Sequence, residues 1–281
     1  MKHRYATTLL AAVASSAVAV PAASADSVLV ADPSASNVTQ YGSTAAWSRK
    51  ADDGTYRLVV RSGGQVADAP VPSSTRPFDP DLGPTAANGR VIVYARGGDI
   101  YRYDVGAQAE QKVAAISSSR TEAAPSFFKD RIAFARTDGA KPGWYLYRPG
   151  RTLKRLTRVV PLETDLADTR VAARFGTGSR TIIRQSNYNG DDIRRVAQAR
   201  AGEKVSSPTL SRFNVYWLRD LAKTTAARAE SVGVNAHRGL SPRRADRTFD
   251  AASSLAITNI PSLYTSPEGV KTIAPKLRFA G

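Results

Sequence analysis

The chain has 281 residues, 42% of them hydrophobic, a formal net charge of +16 and no cysteine. The missing thiol excludes disulfides, cysteine nucleophiles, zinc–thiolate sites and iron–sulfur clusters, so burial and hydrogen bonding must carry the stability. The charge attracts anionic partners in general, but no block of five or more basic residues occurs and Ser241–Arg247 is the densest cluster. That pattern reads as a solvated basic surface and not as a specific nucleic-acid site.

In chain order, Lys2 and Arg4 open a short basic start, Ala6–Val20 is a small apolar run, and Ala22–Ala25 offers a small-residue cleavage site. These are the parts of a secretory signal peptide. The run is too short and too rich in alanine and serine for a membrane anchor, and no later segment is long and apolar enough to span a bilayer. The expected mature protein is one domain over 26–281, with net charge +14 once Lys2 and Arg4 are gone. Its expected location is secreted or extracytoplasmic, in the periplasm or cell wall space.

The rest of the sequence repeats one unit: a hydrophobic strand, a turn, and a second strand rich in tyrosine and aliphatics. Copies run over Ala45–Arg61, Val91–Asp104 and Ala124–Thr157, with a further clear strand at Asn214–Asp220. The hydrophobic strands start near Ala45, Val91, Ile132, Val171, Val215 and Leu263, at intervals of 39 to 48 residues. This brackets the ~40–45-residue period of a four-stranded propeller blade. The predicted fold is therefore all-β, a six-bladed β-propeller of four-stranded antiparallel blades.

Details follow from alternation and turn chemistry. In Asp99–Asp104, Ile100 and Arg102 point one way while Tyr101 and Tyr103 point the other. Asp53-Gly54, Gly97-Gly98, Asp138-Gly139 and Asn189-Gly190 mark turns, the last predicted as a type I′ hairpin. Trp47 and Trp217 hold corresponding places in their units, as do Tyr94 and Phe134, which predicts core packing between blades. Ala67–Pro77, rich in proline and serine, reads as an inter-blade loop, and the Ala/Thr-rich stretch Leu221–Val232 as a loop or irregular strand. The strands of the fourth unit fit two registers, one strand apart. The ring closes in one of two ways: Ser27–Ala31 pairs with the C-terminal run Gly269–Ala274, or Lys276–Phe279 completes the last blade locally.

The unit around Ile132 resembles the TolB-type (WD40-like) β-propeller repeat. Pro125-Ser126, Arg131-Ile-Ala-Phe134, Tyr145-Leu-Tyr147 and Arg155-Leu-Thr157 match its pattern in order. The second unit keeps Asp99-Ile-Tyr101 but has Gln111-Lys-Val113 where the repeat has Arg-Leu-Thr. The resemblance implies a stand-alone exported bacterial propeller of the actinobacterial type. The α/β domain that precedes the propeller in TolB has no counterpart in this sequence, which points away from the Tol envelope system.

Chemistry is sparse. His237, the one histidine after the leader, lies in a polar stretch with no nucleophile elbow nearby, and reads as a loop residue. Asn187–Asp192 lacks the downstream glutamate of a calcium loop. Carboxylates give the one pattern: Asp79 and Asp81, Glu122, and Glu163 and Asp165 fall near the predicted innermost strands of three blades, which line a propeller's channel. Convergent oxygens of this kind suit a hard cation such as Ca²⁺; the competing reading is that each carboxylate caps a turn or pairs with an arginine. The expected function is a secreted, non-enzymatic, monomeric scaffold that binds a protein or an anionic envelope polymer, with no cofactor. The alternative is a propeller-type hydrolase or lyase that uses the channel carboxylates with a divalent cation.

Overall fold

The computed structural model describes residues 26–222, 224–234, 242–250, 252, 254–256, 262–273 and 279–280. The expected leader, 1–25, and His237 lie outside them. Six antiparallel sheets account for nearly all regular structure. Blade 1 is built from Ala35–Tyr41, Thr44–Lys50, Tyr56–Ser62 and Gln65–Asp68. Blade 2 uses Asp81–Pro84, Arg90–Arg96, Asp99–Asp104 and Ala109–Lys112. Blade 3 uses Glu122–Phe128, Arg131–Arg136, Gly143–Tyr147 and Lys154–Thr157. Blade 4 uses Glu163–Ala167, Arg170–Phe175, Ile182–Asn187 and Arg194–Gln198. Blade 5 has Lys204–Leu210, Asn214–Asp220, Ala226–Gly233 and Arg243–Asp250, and Phe279–Ala280 adds a short fifth strand at its edge. No helix among the described residues is long and apolar enough to cross a membrane.

Every predicted strand start, from Ala45 to Leu263, lies in the second strand of a blade. The sixth blade runs Leu255–Ala256, Leu263–Ser266, Gly269–Thr272 and then Ser27–Val30. The ring thus closes by the first of the two expected routes, with Ser27 opposite Thr272 and Val30 opposite Val270. Leu29 and Val30 pack on a core that joins Trp47 and Val59 of blade 1 to Leu263 and Val270 of blade 6. Gly269 sits at the crossing with φ +127°, and a Cβ there would overlap the Val30 carbonyl, so only glycine fits.

Two local expectations change. Part of Leu221–Val232 forms a regular strand, Ala226–Gly233, paired along its length with Asn214–Asp220. Its buried positions are Ala227 and Ala229 with the polar Glu230 and Ser231, a set that hides the apolar alternation. The Asn189-Gly190 turn is not type I′, because Gly190 has a positive φ of 73° and Asn189 does not. Instead Asn187 Oδ1 accepts the N–H groups of Asn189 at 3.0 Å and Asp191 at 3.2 Å, closing a longer loop.

The core forms clusters at the blade interfaces. Trp47, Tyr94, Phe134, Trp144 and Trp217 are all fully buried, as core packing requires. A second device recurs beside them. An arginine stands two residues after the aromatic on the second strand and meets a carboxylate at the blade's end. Arg49 pairs with Asp32 (2.7 Å), Arg136 with Glu122 (3.1 Å), and Arg219 with Glu230 (2.9 Å) and Glu203 (2.7 Å). Arg96 pairs with Glu110 in blade 2. The indoles join in: Trp47 donates to Asp32 at 2.7 Å and Trp217 to Glu230 at 2.8 Å. In blade 4 the aromatic's place is taken by Ala173 and the arginine's by Phe175, and Arg174, one residue earlier on the other face, pairs with Glu163 at 2.8 Å.

Candidate functional site

The six inner strands surround a central cavity of about 840 Å³. One inner-strand position in each blade carries a hydroxyl or carboxylate that bonds to the next blade. Thr39 Oγ1 accepts the Leu82 amide at 3.0 Å, and Asp81 the Phe127 amide at 2.6 Å. Thr164 Oγ1 donates to Ser126 Oγ at 3.0 Å, and Asp165 accepts the Leu210 amide. Thr209 Oγ1 donates to the Leu255 carbonyl at 3.1 Å, and Ser254 Oγ accepts the Val38 amide at 3.0 Å, which completes the circle. Hydrogen bonds between inner strands therefore join each blade to the next around the channel.

Four of the five predicted site residues line the cavity: Asp79, Asp81, Glu163 and Asp165. Three of them are engaged. Asp81 also accepts Thr39 Oγ1 at 3.2 Å, and Glu163 accepts the Ser207 amide at 2.8 Å beside its Arg174 ion pair. Ser207 reaches Glu163 from an inner-strand bulge, where its φ is +50°. Glu122 lies apart, only 1% exposed and held by Arg136 and by Ser118 Oγ at 2.6 Å. The cause is the bulge between Ala123 and Ser126, which sets Glu122 four residues ahead of Ser126, whereas Glu163 is two ahead of Asp165. Asp79 has no hydrogen-bond partner among the described residues. Nor, among those residues, do three or more His, Cys, Asp or Glu side chains gather in a group that could hold a metal ion.

The three channel aspartates hold their protons more tightly than ordinary carboxylates. Burial, with the negative charges of Glu163 and Asp81 added and Arg174 opposing, lifts Asp79 to about 7. Burial raises Asp81 and Asp165 as well; Asp165 adds like charge to Asp81, and amide hydrogen bonds to both hold the rise back. Asp79 and Asp165, each raised to about 7, give the channel carboxyls that exchange protons near neutrality.

Among the described residues, cations without an ion pair occur at both ends of the ring, and Arg170 and Asp192 pair at the end where Lys129 and Arg212 lie. In blades 1 to 4 the hairpins joining first to second strands, and third to fourth, emerge on one side, here called the upper face. Ion pairs concentrate on the lower face, at Arg49–Asp68, Arg57–Asp53, Lys112–Asp99 and Lys204–Asp220 among others. On the upper face Lys129, Arg131, Arg148, Arg151, Lys154 and Arg212 meet no carboxylate within ion-pair distance among the described residues. Lys129 and Arg212 line the cavity mouth there. Phe213, beside Arg212, is 68% exposed.

The architecture defines the chain as a six-bladed β-propeller, and solved structures of that shape are similar to it. The tricorn protease superposes with a TM-score of 0.61 at 14% identity, over 88% of this chain and 26% of that one. TolB from Acinetobacter baumannii gives 0.55 at 14%, over 84% of this chain and 65% of its own. The SapL1 lectin, solved with alpha methyl fucoside, gives 0.57 at 9%, over 89% and 98%. This chain spans less than two thirds of the tricorn protease and TolB chains. At these identities the likeness is one of fold. No protein-family model matches the sequence, and no curated protein matches it.

Proposed function

We propose that the protein is an exported, non-enzymatic propeller scaffold that binds a protein or a cell-envelope polymer through one rim of its ring. The observation that carries this reading is the engagement of the channel carboxylates. Asp81 and Asp165 accept amides of the neighbouring blade, and Glu163 holds both Arg174 and the Ser207 amide. Oxygens engaged in this way hold the ring together. A hydrolase or lyase working through channel carboxylates and a divalent cation needs them free. The leader-like start supports an extracytoplasmic site of action.

Thermal unfolding with millimolar Ca²⁺, with chelator, and with neither tests the choice. A cation that binds only the folded state raises the apparent stability by RT ln(1 + [L]/Kd). The expected result is one Tm in all three conditions. A Ca²⁺-dependent rise, lost on Asp79→Asn, would favour the enzyme instead, because Asp79 is the channel carboxylate with an open hydrogen-bonding capacity and a proton affinity near neutrality.

A further inference from the structure

We infer that the upper mouth of the channel is a docking face for a carboxylated polysaccharide, a reading that rests on the scaffold function above and names its partner. Two cation–aromatic pairs frame the mouth. Lys129 Nζ stands 5.5 Å from the Phe128 ring in blade 3, and Arg212 Cζ stands 5.4 Å from the Phe213 ring in blade 5. Both cations line the cavity, both are exposed, and neither meets a carboxylate among the described residues. Arg131, next to the first pair, lies 5.2 Å from the Tyr188 ring and adds a third cation to that side.

The chemistry around these cations selects the ligand. Phe213 offers most of its ring to solvent, and a flat apolar face beside a guanidinium suits the C–H face of a sugar ring whose carboxylate takes the charge. Between the two pairs, the blade 4 hairpin brings Asp168 to the cavity lining. A carboxylate at that place accepts hydrogen bonds from sugar hydroxyls, which a DNA backbone lacks, and so favours a glycan over DNA. Deeper in the channel the lining includes Asp79, Asp81, Glu163 and Asp165, and no lysine or arginine lines it apart from Lys129 and Arg212 at the mouth, so an anion finds no cation there. The polymer therefore lies across the mouth and does not thread the ring.

The test is affinity electrophoresis of the protein at physiological salt against four probes: alginate, poly-L-glutamate, dextran and single-stranded DNA. Alginate is expected to retard the protein, and poly-L-glutamate and dextran to do so at least about tenfold more weakly, since each supplies only half of the recognition. Phe213→Ala and the double change Lys129→Gln with Arg212→Gln are each expected to weaken alginate binding by about tenfold while leaving Tm unchanged. Equal retardation by poly-L-glutamate, tightest binding to DNA, no retardation by alginate, or variants that bind like the parent would each overturn the proposal. Alginate recovered from the same samples separates this outcome from the fate of the scaffold reading. Shortened alginate would overturn the non-enzymatic reading and leave the docking face standing. Unbound alginate of unchanged length would remove the docking face alone.

Discussion

Asp165 in the fourth blade accepts the backbone amide of Leu210 in the fifth, just as Asp81 in the second accepts that of Phe127 in the third. These contacts put a carboxylate where other blades use threonine or serine, so the acid is a variant of a structural link. Asp165→Asn keeps an oxygen for the Leu210 amide and removes the charge, and is expected to hold or raise Tm. Asp165→Ala orphans a buried amide and is expected to cost about 1–3 kcal/mol. Chemical denaturation of the pair decides it: equal losses in both variants would assign the effect to charge and not to the inter-blade bond.

Stability should also depend on pH through Asp79. Its carboxyl is held at about 7 in the folded protein, against 3.8 for an ordinary aspartate. Between those values the folded state keeps a proton that the unfolded state gives up. Its contribution is then complete below about pH 4 and is lost as the pH rises to about 7. Asp79→Asn removes that slope and is expected to leave the variant more stable than the parent at pH 8, by about 1 kcal/mol after allowing for channel water. Parallel Tm profiles for the two proteins from pH 4 to 8 would contradict this origin.

The buried arginine of blade 5 should outweigh any exposed one. Arg219 is 8% exposed at its side chain and joins Glu230, Glu203 and the Gln198 carbonyl, so Arg219→Ala leaves buried charge without compensation. A loss of about 3–5 kcal/mol is expected. Arg57→Ala breaks an exposed pair with Asp53 and should cost less than about 1 kcal/mol. Urea midpoints measured side by side test the ranking.

Blade spacing is set at Gly83. A Cβ there would overlap the Phe127 carbonyl of the next blade. Gly83→Ala is expected to force blades 2 and 3 apart at a cost of about 1–3 kcal/mol. Gly54→Ala, at a turn with φ +78° and open space around it, should cost about 1 kcal/mol from backbone strain alone. Differential scanning calorimetry of the two variants compares packing with conformation directly.

Much of the ring was legible because its period is carried by single strands. Ala45, Val91, Ile132, Val171, Val215 and Leu263 each open or lie within a second strand, where burial on both faces demands a short apolar run. Blade 4 was ambiguous because Ala173 replaces its marker aromatic, and the strand at Ala226–Gly233 because alanine buries without announcing it. The linking residues were harder still. Thr39, Ser126, Asp165 and Thr209 all stand six residues before the strand start of their unit, a spacing present in the sequence. Their side chains differ, however, and only the three-dimensional ring shows that hydroxyl and carboxylate do one job. Glu122 was grouped with the channel acids because an inner-strand bulge leaves no trace in composition.

The closure of the ring has a consequence for how the chain is made. Ser27 and Thr272, bonded at 2.6 Å, are 245 residues apart, so the strand Ser27–Val30 is made long before the strand it pairs with. A nascent chain therefore carries an unsatisfied edge at that strand until its partner is made, and a slow, long-range step completes the fold. The hydrogen bonds of that step are equally available from the Gly269–Thr272 strand of a second molecule. Only the higher effective concentration of its own partner steers Ser27–Val30 back to the same chain. Crowded refolding is thus where exchanged dimers and longer chains of open rings would form.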